Sequence, residues 1–141
     1  MIEVSTRIPA MPDVSHAKLF QDLDAKEVQR IGSRMREVSH TAGNEIVTAG
    51  AGGVAFLVIL DGEVEVRVPD GRTRTLGPGD HFGEIALLND TQRSATIVAK
   101  SDVTLAGLTA WDFKPFLIDH PEVAYRIAQN LAHMLPEAEA R

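Results

Sequence analysis

The sequence contains no cysteine, and that absence closes two routes at once. No disulfide can staple the fold, and no thiolate can hold a metal. Basic residues are also in deficit. Fourteen Lys and Arg stand against 20 Asp and Glu, for a formal net charge of −6. They are scattered, with no stripe to neutralise phosphates, so direct DNA binding is not expected. No segment approaches the roughly 18 consecutive apolar residues of a membrane span. Met1 to Val14 lack the basic start and apolar run of a signal peptide. The expected location is cytoplasmic. The five histidines, His16, His40, His81, His120 and His133, are dispersed, and His81 with Glu84 gives only an H-x-x-E fragment. No metal site is expected. No serine lies in a nucleophile elbow, so no catalytic residue is assigned and the chain is read as a non-enzyme. Gly50, Gly52 and Gly53 do not sit between a strand and a helix and are read as a turn rather than a dinucleotide fingerprint.

What remains is enough for one domain of 141 residues. Residues 1–14 read as a tail, and 15–141 as the folded unit. From Ser15 to Val38 the apolar residues Leu19, Phe20, Leu23, Val28, Ile31, Met35 and Val38 recur at helical spacing. Asp22 or Asp24 is placed to cap a second helix inside that span. Glycine turns then punctuate the chain at Gly43-Asn44, Asp61-Gly62, Asp70-Gly71 and Gly77-Pro78-Gly79-Asp80. Between them, Glu63 to Val68 alternates with period two, and Ala55 to Leu60 is a continuous apolar run suited to a buried strand. Thr96 to Ala99 and Val103 to Leu108 read as further strands. The pattern predicts a small antiparallel sandwich or barrel over about 40–108. Helical signals return with Trp111 to Ile118 and again from Pro121, where Val123, Ile127, Leu131 and Leu135 repeat every four residues. Pro136 is expected to end or kink that helix. Trp111 and Tyr125 are read as hinge and core packing.

The most informative stretch is Phe82-Gly83-Glu84-Ile85-Ala86-Leu87-Leu88, followed after four residues by Arg93-Ser94-Ala95. Alone, Glu84 would be an ordinary helix N-terminal charge and Arg93 an ordinary surface cation. Together they offer an acceptor for a hydroxyl and a fixed cation for an anion. An ionised Glu84 can only accept, and Arg93 presents a planar, permanently charged fork. Gly83 lets backbone approach closely, and a single helical turn from Glu84 would aim free N–H groups at a phosphate. A cyclic nucleotide carries both a ribose hydroxyl and a phosphate.

These residues resemble the phosphate-binding cassette of cyclic nucleotide-binding domains, the module of catabolite-activator-type regulators and kinase regulatory subunits. The resemblance extends to Leu19-Phe20-Gln21-Asp22-Leu23, to Ala42–Val47 with Gly50, to the hairpin around Gly62 and to Gly77-Pro78-Gly79-Asp80. It covers about residues 15–135. It implies a mainly β fold: an eight-stranded antiparallel β-roll with N-terminal helices (about 15–38), a hinge helix (about 110–119) and a lid helix (about 121–135). It also implies ligand contacts from Gly83, Glu84, Ile85, Ala86, Arg93, Ser94 and Ala95, with Leu87 coupling the cassette to the hinge helix. The implied ligand is cyclic AMP, with cyclic GMP left open because Ser94 fits either. Family members contact adenine partly through polar residues of the last helix, and Pro136 to Ala140 offers no Thr-Ser pair. No helix-turn-helix follows in this sequence, so the expected output is through an effector in trans, or the chain is an excised regulatory domain. A homodimer is compatible with the apolar stripe on the last helix. The alternative is an interaction module of the same fold without nucleotide control.

Overall fold

In a computed structural model, residues 12–47, 55–83 and 95–139 are described. The elements run as a 3-10 turn (Lys18–Phe20), α1 (Ala25–Gly32), β1 (Arg36–His40), β2 (Glu45–Val47), β3 (Ala55–Asp61) and β4 (Val64–Arg67). They continue with β5 (Thr73–Leu76), β6 (His81–Phe82), β7 (Thr96–Ala99), β8 (Val103–Thr109), α2 (Ala110–Asp119) and α3 (Pro121–Glu139). The eight strands form two antiparallel four-stranded sheets, ordered β1-β8-β3-β6 and β2-β7-β4-β5. The expected mainly β fold with flanking helices is what forms.

The continuous apolar run of β3 has a simple cause: both of its faces are buried. Leu57 and Ile59 point into an inter-sheet cluster with Val64, Phe82, Ile97, Ala99, Val103 and Leu105. Phe56 and Val58 point the other way, into a cluster with Leu19, Phe20, Ile31, Phe113, Phe116, Val123 and Ile127. β8 divides in the same manner, with Val103 and Leu105 inward and Ala106 and Leu108 toward the helices. Burial on two faces replaces alternation with a solid apolar run. β4 is covered on one side only, so it alternates. Val64 is buried, while Glu65 and Arg67 pair with each other at 2.7 Å.

Three sequence expectations are corrected. The helical spacing up to Val38 does not give helix throughout. α1 stops at Gly32, and Arg36–His40 is a strand zipped to β8 over five register pairs. A wrong period survives here because Met35 is one helical turn beyond Ile31, and ladder pairing overrides the local pattern. Asp24 is the α1 cap, accepting from the Glu27 N–H at 2.8 Å. Asp22 instead pairs with Arg126 of α3. Pro136 does not end α3, which continues to Glu139. A proline deletes one rung of the ladder, and less than a turn of helix follows it. Trp111 and Tyr125 are not core: they are 88% and 67% exposed. The inward face of α2 is Phe113 and Phe116, and Trp111 lies off it. The turn read at Gly50–Gly53 falls outside the described residues.

Among the turns, Asp61-Gly62 is the tightest. Gly62 has φ +88°, and a Cβ there would lie 2.2 Å from the Asp102 carbonyl oxygen and 2.8 Å from Val103 Cγ1. Gly71 has a similar φ of +97° but open space around it. Gly71→Ala should therefore cost about 1–2 kcal/mol of backbone strain alone. Gly62→Ala should cost that plus roughly 1–3 kcal/mol of overpacking. Urea unfolding of both variants measures the difference, and equal losses would remove the steric argument for Gly62.

Candidate ligand-binding site

The segment singled out by sequence leaves one sheet and enters the other. β6 ends at Phe82, paired with Leu57 of β3, at the edge of the first sheet. β7 begins at Thr96 and lies between β2 and β4 in the second. Phe82 and Ile97, at the two ends, are 6% and 5% exposed and belong to the same inter-sheet cluster. The intervening chain is thus hung from two points fixed in one apolar core. Burial of each such side chain stabilises by about 1.5–3 kcal/mol.

Of the expected ligand residues, Gly83 and Ala95 are described and flank the segment. Glu84, Ile85, Ala86, Arg93 and Ser94, with the coupling residue Leu87, lie outside the described residues. Gly83 follows β6 with φ +100°, a conformation that a side chain would strain. The glycine of the motif is therefore required by the backbone, quite apart from any ligand. Among the described residues no group of three His, Asp or Glu could hold a metal ion. A groove of about 650 Å³, lined by residues including Pro12, Val14, Phe20, Leu23 and Val28, lies in the N-terminal helical layer.

The loop that delivers β6 is more tightly built than its glycines suggest. Gly77-Pro78-Gly79-Asp80 has the residue signature of a type II turn, with proline second and a glycine of φ +94° third. The Asp80 N–H donates to the Gly77 carbonyl at 3.0 Å. The turn is fastened on two sides. Gly79 N–H donates to Ile59 of β3, and Lys18 N–H donates to Gly79. Asp80 adds a carboxylate that accepts from Lys18 Nζ at 2.7 Å and from the Gly77 N–H at 2.8 Å. Partial burial pushes the Asp80 carboxyl up, but the Lys18 ammonium and the Gly77 N–H outweigh it and hold it below its ordinary 3.8. Sequence reading placed this loop and missed the Lys18 partner, 62 residues away.

Above the first sheet sit the two C-terminal helices. α2 packs through Phe113, whose ring lies 5.2 Å from that of Phe56 on β3. α3 packs through Val123 and Ile127, the first half of the expected stripe; the Leu131 and Leu135 side chains are outside the described set. Two ion pairs tie this layer to the N-terminal elements: Arg34 with Asp119 at 3.0 Å, and Arg126 with Asp22.

The family model for the cyclic nucleotide-binding domain matches residues 37–120, more than half of the chain. The chain belongs to the cyclic nucleotide-binding domain family. Its similarity to known proteins is strong and partial. Over 118 residues it is 36% identical to glutaminase 2 of Bradyrhizobium diazoefficiens, covering 83% of this chain and 19% of that protein. Over 101 residues it is 38% identical to the cAMP-dependent protein kinase regulatory subunit of Aspergillus fumigatus, covering 70% of this chain and 24% of that one. The solved structure of Thermus thermophilus catabolite activator protein matches with a TM-score of 0.78 at 35% identity, covering 86% of this chain and 60% of that one. The cyclic nucleotide-binding domain thus spans about a fifth to a quarter of the length of these two curated relatives. No helix among the described residues is long and apolar enough to cross a membrane.

Asp80→Ala removes the acceptor of Lys18 and leaves the Gly77 N–H unpaired. The loss expected at pH 7 is about 1–2 kcal/mol. Because the folded carboxyl titrates below 3.8, its contribution is full above that value and disappears as pH falls through the folded one. Urea midpoints of wild type and Asp80→Ala should therefore differ at pH 7 and converge in strong acid.

Proposed function

We propose that this domain is a non-enzymatic sensor of a 3′,5′-cyclic nucleotide, cyclic AMP first, that signals through its C-terminal helices. The observation that carries the reading is the Phe82-Gly83-Glu84…Arg93-Ser94-Ala95 sequence within a domain of this family, bounded by two core-anchored strand ends. In this reading Arg93 pairs bidentately with the cyclic phosphate, and Glu84 accepts from the ribose 2′-hydroxyl. Backbone groups of Gly83, Ile85 and Ala86 complete the cradle, with Ser94 and Ala95 forming its far wall. Leu87 couples the cassette to α2. Cyclic AMP is put first on the kinase regulatory subunit that is, by its name, cAMP-dependent, and cyclic GMP stays the alternative because a relative 40% identical over 83 residues is, by its name, a cGMP-dependent protein kinase.

The output surface is read on the last two helices. Trp111 and Ile118 stand seven residues apart on α2, 88% and 72% exposed, and Tyr125 follows on α3. Exposed large apolar side chains on adjoining helices are the ordinary substrate of a protein interface. An effector in trans is the partner proposed, in a cytoplasmic setting. A ligand can move these helices only through its different affinity for their two arrangements.

Truncating a buried charge partner costs roughly 2–5 kcal/mol. Arg93→Ala should therefore weaken cyclic AMP binding by about thirty-fold to several thousand-fold in titration calorimetry. Arg93→Lys should lose most of the affinity as well, because an ammonium cannot reproduce the fork. Unchanged affinity in Arg93→Ala would sink the assignment. Parallel titrations with cyclic AMP and cyclic GMP decide the base. Wild type at 100 times the dissociation constant should gain about 2.7 kcal/mol of stability. Absence of any thermal shift with either nucleotide would favour an interaction module without nucleotide control. Trp111 is the sole tryptophan, so its emission reports α2 movement in the same titration.

A further inference from the structure

His120 sits at the joint between α2 and α3 and is buried to 2% exposure. Its backbone serves both helices. The His120 N–H donates to the Phe116 carbonyl at 2.9 Å and closes α2. The His120 carbonyl accepts from Val123 at 3.0 Å and Ala124 at 3.2 Å and opens α3. The imidazole packs 5.0 Å from the Phe116 ring, and neither Nδ1 nor Nε2 has a hydrogen-bond partner among the described residues. It is also the one buried polar or charged side chain among them. A phenylalanine or leucine would fill such a position without leaving a polar atom unpaired.

We propose that His120 is a proton-responsive latch: the neutral ring keeps the α2–α3 joint packed, and protonation releases the first turn of α3.

The groups around the ring explain why a proton is not accommodated in place. α1 and the residues after it bring Arg30, Arg34 and Glu27, and α2 brings Asp119. Burial comes first in holding the imidazole below its ordinary 6.5, and Arg34 adds to it. Glu27 and Asp119 pull the other way, and Arg30 opposes them. Asp119, the adjacent counter-ion for an imidazolium, already pairs with Arg34 at 3.0 Å. A charged ring would have two N–H donors and no acceptor, in a site closed to water. Reaching solvent requires moving the residue, and its carbonyl carries the Val123 and Ala124 hydrogen bonds with it. The sign follows directly. A histidine whose folded pKa is depressed leaves the unfolded or opened form with more bound protons. The packed joint is therefore fully favoured above about pH 6.5 and loses ground as pH falls toward the folded value, by at most about tenfold per pH unit.

The test uses the ligand-free full chain, so a failure of the nucleotide reading leaves it untouched. Amide hydrogen exchange is followed by NMR from pH 8 to pH 5, corrected for intrinsic exchange, in wild type and His120→Phe. Protection of the Val123 and Ala124 amides should fall severalfold relative to β3 amides below pH 6.5 in wild type, and stay level in His120→Phe. Equal pH dependence in the two proteins overturns the proposal, as does equal loss at α3 and β3, which would place the proton's effect on the whole fold. If His120→Phe does not fold, the wild-type ring decides. An imidazole titrating below 6.5 together with the selective α3 loss supports the latch, and one titrating at or above 6.5 overturns it.

Discussion

The constraint on which the molecule depends is the apolar cluster between the two sheets. Leu57, Ile59, Val64, Phe82, Ile97, Ala99, Val103 and Leu105 come from both sheets. None can be lost without loosening the others, because interiors are packed to crystal density. The same cluster fixes Phe82 and Ile97, the two ends of the proposed cassette. A cyclic phosphodiester is small and carries a single charge, so its recognition depends on preorganisation more than on area. In the proposed reading, Phe82 and Ile97, held in a shared core, supply that on either side of the segment. Gly83, with its positive φ, turns the chain just where the cassette begins.

β3 links this core to the helical layer. Its odd-numbered residues Leu57 and Ile59 face the cluster, and its even-numbered residues Phe56 and Val58 face α2 and the N-terminal elements. Phe56 meets both Phe113 of α2 and His81 of β6, with ring centroids 5.2 Å and 5.7 Å away. The strand that opens onto the cassette and the helix proposed to respond thus share one side chain. Such adjacency is a physical route, and coupling along it rests on differential affinity rather than on proximity. The Gly77–Asp80 turn adds a second fastening, joining β6 to Lys18 and so to the N-terminal turn.

The sequence made the sheets and the family legible for different reasons. Two-face burial wrote β3 as a solid apolar run, and one-face burial wrote β4 as an alternation; both are local consequences of where the strand lies. The family was legible because the Phe82–Leu88 and Arg93–Ala95 motif sets particular residue types at fixed spacing. The helices were read less well. Met35 and Val38 fit a helical period by coincidence, and only pairing with β8 turns Arg36–His40 into strand. Trp111 and Tyr125 look like core residues by type, yet each faces away from Phe113 and Val123 on its helix. The roles of Lys18 and His120 depend on partners far away in sequence, which no local pattern encodes.

The energetics of the C-terminal layer suggest which part is free to respond. α2 is held by Phe113 and Phe116, both buried in the core cluster, and by continuity with β8. Among the described residues, α3 is held by two aliphatic side chains, Val123 and Ile127. At about 1.5–3 kcal/mol each, these two side chains contribute roughly 3–6 kcal/mol, an upper figure for the pair because unfolded references exaggerate burial. The Arg126–Asp22 pair adds little, being a surface contact screened by salt. Driving a two-state element from 1:99 to 99:1 takes about 5.5 kcal/mol of differential binding. The share of the α3 attachment carried by Val123 and Ile127 is therefore of the size that one charged ligand, assisted or opposed by one proton at its hinge, can overcome. The attachment of α2, with two buried aromatic rings and a covalent strand behind it, is the heavier of the two. The ligand-driven shift of α2 is thus expected to be the smaller one, with the larger displacement at His120 and beyond.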